Sequence, residues 1–294
     1  MIHLECAIGF SYLKSMPELP EVEVVRQGLS QALNPSQIPS PKLIGIHFFR
    51  EDLRDSIPIA SCLSLVGQTL KSVNRRAKYL IFQFPTGNLI SHLGMTGTWR
   101  VVRTEEAKEH VHRTHDHICL NFSKLKLIYN DPRRFGIFDF YQGDLSNYRR
   151  FIELGPEPLD QNWGVEQLAN SLRGKTVAIK TALMDQRVVV GVGNIYACEI
   201  LYRSGVRPQR SARRVRREEL QRIVTETKLV LAESIRQGGS SISDFHGIEE
   251  AGGLFQLSHL VYDRAGKPCQ KCGQAIQKKV LNGRSSFWCR RCQV

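Results

Sequence analysis

The sequence predicts an α+β fold: one N-terminal helix lying on a β-sandwich or barrel, then a helical half, then a small cysteine-rich tail. Three observations carry this. Val22, Val25, Leu29 and Leu33 recur at helical spacing near the start. Six short apolar runs, separated by turn residues, fill the stretch from 42 to 141. Four of the eight cysteines crowd into the last 26 residues.

Taken in order, the helix is expected over 21–33. Strands are expected at 43–49, 79–84, 89–93, 118–122, 125–129 and 136–141. Pro85-Thr86-Gly87-Asn88 and the segment 121–124 predict hairpin turns between them. Many short strands at this spacing favour a sandwich or barrel. Leu154-Gly155-Pro156-Glu157-Pro158 then interrupts the pattern and predicts a domain boundary. Helices follow at 165–172, 177–184, 195–204 and 218–237. In the last of these, Leu220, Ile223, Val224, Thr227, Leu231 and Ile235 share one face. The Gly- and Ser-rich stretch 238–253 has no helical face and is expected as a loop or lid. The expected organisation is an extension over 1–16, a sandwich domain over 17–150, a helical domain with its loop over 155–253, and a cysteine-held hairpin over 254–294.

Charge narrows the partners. Lys and Arg number 41 against 28 Asp and Glu, a net charge of +13. Such a balance favours a polyanion, either nucleic acid or an anionic membrane surface. No stretch has the length and apolarity of a membrane span, so a membrane partner is not expected. The apolar patch at 7–10 lacks a basic segment before it and has Glu5 close by, which makes a poor signal peptide. Single cysteines scattered through the body, with four clustered at the end, fit a reducing cytoplasm and one metal site rather than a disulfide scaffold.

The tail reads Cys269-Gln-Lys-Cys272, then 16 residues, then Cys289-Arg-Arg-Cys292. Two such knuckles supply four thiolates, the full tetrahedral demand of one structural Zn²⁺. No coordination position is left open, so the metal's role is folding, worth on the order of 10 kcal/mol in small modules. Asn282-Gly283 between the knuckles predicts a hairpin turn, which would present Arg284 near the tip.

Met16-Pro17-Glu18-Leu19-Pro20-Glu21 would by itself be a Pro-rich helix start with acids at its positive end. It occurs here together with Arg75-Arg76-Ala77-Lys78-Tyr79, His92-Leu-Gly-Met95-Thr-Gly97, His115-Asp-His117, Asp131-Pro-Arg133-Arg134-Phe135-Gly136, Gly191-Val-Gly193-Asn194-Ile195-Tyr196 and the four-cysteine tail. In this order the set resembles the bacterial formamidopyrimidine-DNA glycosylases, from Met16 to Gln293. The resemblance implies a helix on a β-sandwich, a helix-two-turns-helix supplied by 194–206, a zinc finger, and a monomer that binds damaged duplex DNA across the cleft between the halves.

The resemblance also implies roles. Pro17 would be the nucleophile, through its own nitrogen, and Glu18 the general acid. Lys78 would contact phosphate and assist base removal, and Arg284 would hold phosphate during elimination. Met95, Arg133 and Phe135 would fill the hole left by an everted base. His115, Arg133, Lys175 and Asn194 would contact DNA, mainly phosphate, and the 238–253 loop would close over the lesion. Two alternatives stay open: a sister glycosylase for oxidised pyrimidines, and a catalytically silent DNA-binding protein. The second arises because residues 1–16, as written, block the Pro17 amine.

Overall fold

The structure is a computed structural model that describes residues 16–34, 36, 40–103, 112–239 and 258–294. All of the expected extension 1–16 except Met16, and most of the expected 238–253 loop, lie outside the described residues.

Helix α1 spans Leu19–Leu33. Pro20 sits in its first turn, Glu18 and Glu21 form a capping box, and Asn34 ends it in the left-handed conformation. Val22, Val25, Leu29 and Leu33 bury against the sandwich core, whereas Leu19 belongs to the core of the helical half. One short helix therefore serves two cores.

Two four-stranded antiparallel sheets form the sandwich. One has the order β1 (Leu43–Phe48), β6 (Asp116–Phe122), β7 (Leu125–Asn130), β5 (Thr98–Arg103). The other has β2 (Ser72–Arg76), β3 (Tyr79–Gln83), β4 (Asn88–His92), β8 (Ile137–Tyr141). Phe82, Trp99, Tyr129 and Phe138 pack between them. Strands β2 and β5 were not expected. Both are edge strands, and Ser-Val-Asn-Arg-Arg in β2 buries only Val73. An edge strand such as β2 carries polar residues toward water and so loses the apolar signature, whereas in β5 the apolar run is broken by Arg100, which is buried against Asp116.

After a short helix α2 (Ile59–Leu63) inside the sandwich domain, the helical half contains α3 (Val165–Leu172), α4 (Ile179–Leu183), α5 (Asn194–Arg203) and α6 (Arg217–Arg236). Helix α4 starts two residues later than expected, because Val177 and Ala178 are extended and pair with Ala212 and Ser211. Every residue of α5 from Ile195 to Tyr202 is buried. Helix α5 covers Asn194–Arg203 of the expected 194–206 segment, and turns at Ser204–Val206 and Arg207–Arg210 with a 3₁₀ turn at Ala212–Arg214 lead on to α6.

The tail forms the hairpin β9 (Gln277–Leu281) and β10 (Arg284–Trp288). Asn282 and Gly283 at its turn have φ of 46° and 71°, the doubly left-handed turn that Asn-Gly favours. Among the described residues, no helix is long and apolar enough to cross a membrane.

Candidate active site

The Pro-Glu-Leu start and the Gly191-Val-Gly-Asn194 segment interlock. Leu19 N–H donates to the Gly191 carbonyl at 3.0 Å. The Glu18 carboxylate enters the N-terminus of α5, where it accepts from the backbone N–H of Gly193 (2.6 Å), Ile195 (2.9 Å) and Tyr196 (3.4 Å). A Cβ at Gly193 would stand 2.4 Å from the Glu18 carboxyl carbon, and one at Gly191, where φ is +81°, would stand 2.5 Å from Leu19. Glycine is required at both positions by close approach. Burial pushes the Glu18 carboxyl up to about 7; the Lys78 charge pulls it down, Glu21 pushes it up, and the Ile195 and Gly193 amides favour the ionised form. A carboxyl in that range can hold a proton at neutral pH and release it in a reaction.

Lys78 occupies the two-residue tip between β2 and β3, where Ala77 has φ +52°. The two arginines before it are structural anchors. Arg75 and Arg76 each pair with Glu157 at 2.9 Å, and Ala77 N–H donates to the same carboxylate at 2.6 Å. Glu157, in the linker, thereby fixes the tip against the helical half. Burial lowers the Lys78 ammonium; the charges of Glu18 and Glu21 raise it, and Arg284 lowers it further. Three of these groups, Glu18, Lys78 and Arg284, line a single cleft.

That cleft is a cavity of about 440 Å³ whose walls include Met16, Glu18, Lys78, His92, Met95 and Arg284. It draws on the sandwich, the helical half and the tail together. Pro17 is half-buried between two cavity-lining residues, and its nitrogen is joined to Met16 by a peptide bond. His92 stands in one of the sequence motifs but was expected to play no role. Its Nδ1 accepts from Gly94 N–H at 3.0 Å, and burial, with Lys78 next, pushes it down to about 3. It faces the cavity as a neutral imidazole.

The other expected residues fall into two groups. Met95, Arg133 and Phe135 lie on adjoining turns: Gly94 packs on the Phe135 backbone, and the Arg133 guanidinium stacks 4.7 Å from the Phe135 ring centroid. Buried Asp131 shapes this corner by accepting from Gly136 N–H at 2.8 Å, and its own N–H donates to the carbonyl of the exposed His115. Lys175 lies apart from them, 3.9 Å from Asp185. Asn194 opens α5 and lines the cavity.

Sequence reasoning missed Lys180. It is buried, and its ammonium donates to the Asn194 side chain, to the Ser285 carbonyl at 2.9 Å and to Ser286 Oγ at 2.8 Å. It thus ties α4 and α5 to the strand that begins with Arg284. A lysine on so short a helix gives no sequence signal of such burial.

The four tail cysteines bring their sulfurs within 4.8 Å of one another. Cys269–Cys292 and Cys272–Cys289 are 3.8 and 3.4 Å apart, too long for disulfides. A tetrahedral Zn–S site with bonds near 2.3 Å has edges of about 3.8 Å. The four cysteines therefore form a closed site for one structural zinc.

Comparison with known proteins agrees with this geometry. Residues 16–138 match the formamidopyrimidine-DNA glycosylase N-terminal domain, 154–246 the H2TH domain of the same enzymes, and 266–294 the zinc finger found in FPG and IleRS. The formamidopyrimidine-DNA glycosylase of Bdellovibrio bacteriovorus is 51% identical over 279 residues, covering 95% of this chain and all of the relative. The chain belongs to the formamidopyrimidine-DNA glycosylase family. The enzyme of that name from Shewanella woodyi is 42% identical over 280 residues, covering 95% of this chain and all of the relative. Among solved structures, Lactococcus lactis Fpg in complex with abasic-site DNA superposes with a TM-score of 0.83 at 31% identity, covering 94% of this chain and 99% of that one. The MutM (FPG) protein of Thermus thermophilus gives 0.81 at 33%, covering 94% and 98%.

Proposed function

We propose that this chain is a cytoplasmic DNA repair glycosylase and abasic-site lyase acting on oxidised purines, 8-oxoguanine and formamidopyrimidines among them. The observation that carries the reading is the cavity in which buried Glu18, held by three amides, faces Lys78 and Arg284. In the active form Pro17 carries a free secondary amine. Its nitrogen attacks the sugar C1′, the glycosidic bond breaks, and the departing base or the opening ring oxygen takes a proton from Glu18. Collapse to the iminium makes the C2′ proton acidic; its loss expels the 3′ phosphate (β-elimination), and a second elimination expels the 5′ phosphate. Lys78 and Arg284 supply positive charge to the phosphates. Met95, Arg133 and Phe135 occupy the gap opened by base eversion, while His115, Lys175 and Asn194 support the backbone.

An acylated proline has no lone pair for attack, so the reading requires the Met16–Pro17 peptide bond to be absent from the active form. Two forms test it: one starting at Met16, from which the initiator is trimmed, and one retaining residues 1–15. Each is mixed with a duplex holding 8-oxoguanine, or one holding an oxidised pyrimidine, and with borohydride. The expected result is a covalent adduct on the purine duplex at Pro17, from the short form alone. An adduct from the uncleaved long form would mean that another amine attacks. Preference for the pyrimidine duplex would place the chain in the sister class, and no adduct from either form would leave a DNA-binding protein without this chemistry.

A further inference from the structure

The tail closes against α5 through an apolar cluster that includes Cys198, Tyr202, Val261 and Phe287. Tyr202 is where this contact meets the metal site. Its hydroxyl lies 3.1 Å from Cys269 Sγ, and both residues are buried, at 8% and 2% exposure. A zinc-bound cysteine is a thiolate with no proton to give, so the tyrosine is the donor. That hydroxyl has no other hydrogen-bond partner among the described residues.

We infer that Tyr202 is a positioning residue for the structural zinc: its hydroxyl holds the Cys269 thiolate in the coordination sphere and fastens the metal to the helix whose other end cradles Glu18. This rests on the zinc reading of the four cysteines. Zn²⁺ with four thiolates carries a net charge of −2, and at the buried sulfurs, those of Cys269 and Cys289, that excess needs donors from the protein. The backbone supplies several: Lys271 and Cys272 at Cys269, and Arg291 and Cys292 at Cys289, the last at 3.4 Å. Tyr202 supplies one from outside the tail. One turn earlier on α5, Glu199 accepts the N–H groups of Leu260, Val261 and Tyr262 at 3.0, 3.0 and 2.8 Å. The same stretch of helix therefore grips the tail twice, once by its backbone and once by a metal ligand. Hydrogen-bond partners of metal ligands set both retention and ligand donor strength.

The test uses the full chain and Tyr202→Phe, which keeps the ring in the apolar cluster and removes only the hydroxyl. Zinc retention is measured by competition with a chromogenic chelator, and the thiolate-to-metal charge-transfer band is recorded after cobalt replaces zinc. The expected loss in zinc affinity is about 10- to 100-fold. The cobalt band should move to lower energy, because a thiolate without its hydrogen bond is a better electron donor. Mere loosening of the packing would not move that band. Unchanged zinc retention and an unchanged band, in a variant that binds one metal per chain, would overturn the inference alone. A wild-type chain that takes up neither zinc nor cobalt would overturn the zinc reading itself, and this inference with it.

Discussion

Gly193→Ala is the most local way to disturb the proposed general acid. The new Cβ would stand 2.4 Å from the Glu18 carboxyl carbon and 2.6 and 2.7 Å from its two oxygens, where ordinary contact begins near 3.4 Å. Glu18 must therefore retreat by about 1 Å. Its amide contacts, now 2.6, 2.9 and 3.4 Å, would lengthen to or past the limit of a useful hydrogen bond. Overpacking of this kind costs about 1–3 kcal/mol of stability, a drop of several degrees in melting temperature for a chain this size. Displacing a catalytic group by 1 Å costs on the order of 100-fold in rate. Single-turnover excision from a lesion duplex should fall by that factor, while affinity for an uncleavable abasic analogue stays within a few-fold. Gly45→Ala is the control: its Cβ meets only the Asn121 side chain at 3.6 Å. Wild-type excision by a folded Gly193→Ala protein would refute the placement of Glu18 as the acid.

Metal analysis should find one zinc per chain, and Cys272→Ser should lose zinc, tail structure and duplex binding together; activity with no metal would refute the coupling. The excision rate should peak between about pH 7 and 8. The reacting form needs Pro17 neutral, which acid removes, and Glu18 protonated, which base removes; Glu18 is pushed up to about 7 and an α-amine titrates near 8. A rate flat from pH 6 to 9 would exclude this pair. Arg284→Ala should slow strand cutting on the order of 100-fold, as expected for loss of one anion donor, yet leave borohydride trapping in place; equal loss of both would place Arg284 in the first step.

What the sequence revealed depended on whether a residue's neighbours along the chain were also its neighbours in space. The cysteine knuckles and the Asn282-Gly283 turn are local devices, and their spacing alone states their geometry. Helix α6 announces itself because one face is wet and the other dry. Strand β2 stays silent because its edge position leaves only Val73 buried, and β5 because Arg100, buried against Asp116, interrupts its apolar run. The candidate site was legible only as an ordered set of motifs. No pattern in Pro-Glu-Leu says that its glutamate is held by amides 175 residues away, and nothing around Lys180 distinguishes it from a solvated lysine. Nothing along the chain shows that Arg75 and Arg76 are both committed to Glu157.

These long-range ties explain why the charged groups of the cavity act as one unit although they belong to three parts of the chain. Glu18 comes from the N-terminal segment, Lys78 from a sandwich hairpin and Arg284 from the tail. Each is fixed by a group from elsewhere: the α5 amides hold Glu18, Glu157 holds the hairpin, and Lys180 holds the backbone next to Arg284. A buried ammonium such as Lys180 costs desolvation energy, and its three acceptors offset that cost only in one arrangement. A methionine of similar length could fill the same space, but it would leave the Asn194 side chain and the Ser285 carbonyl without their donor. The lysine is thus better explained by the register it imposes between α5 and β10 than by net stability. Helix α5 is the common term: its first turn binds the acid, its middle grips the tail backbone through Glu199, and its last turn meets Cys269 through Tyr202. Any change that tilts this helix would therefore move Glu18 and the backbone beside Arg284 together.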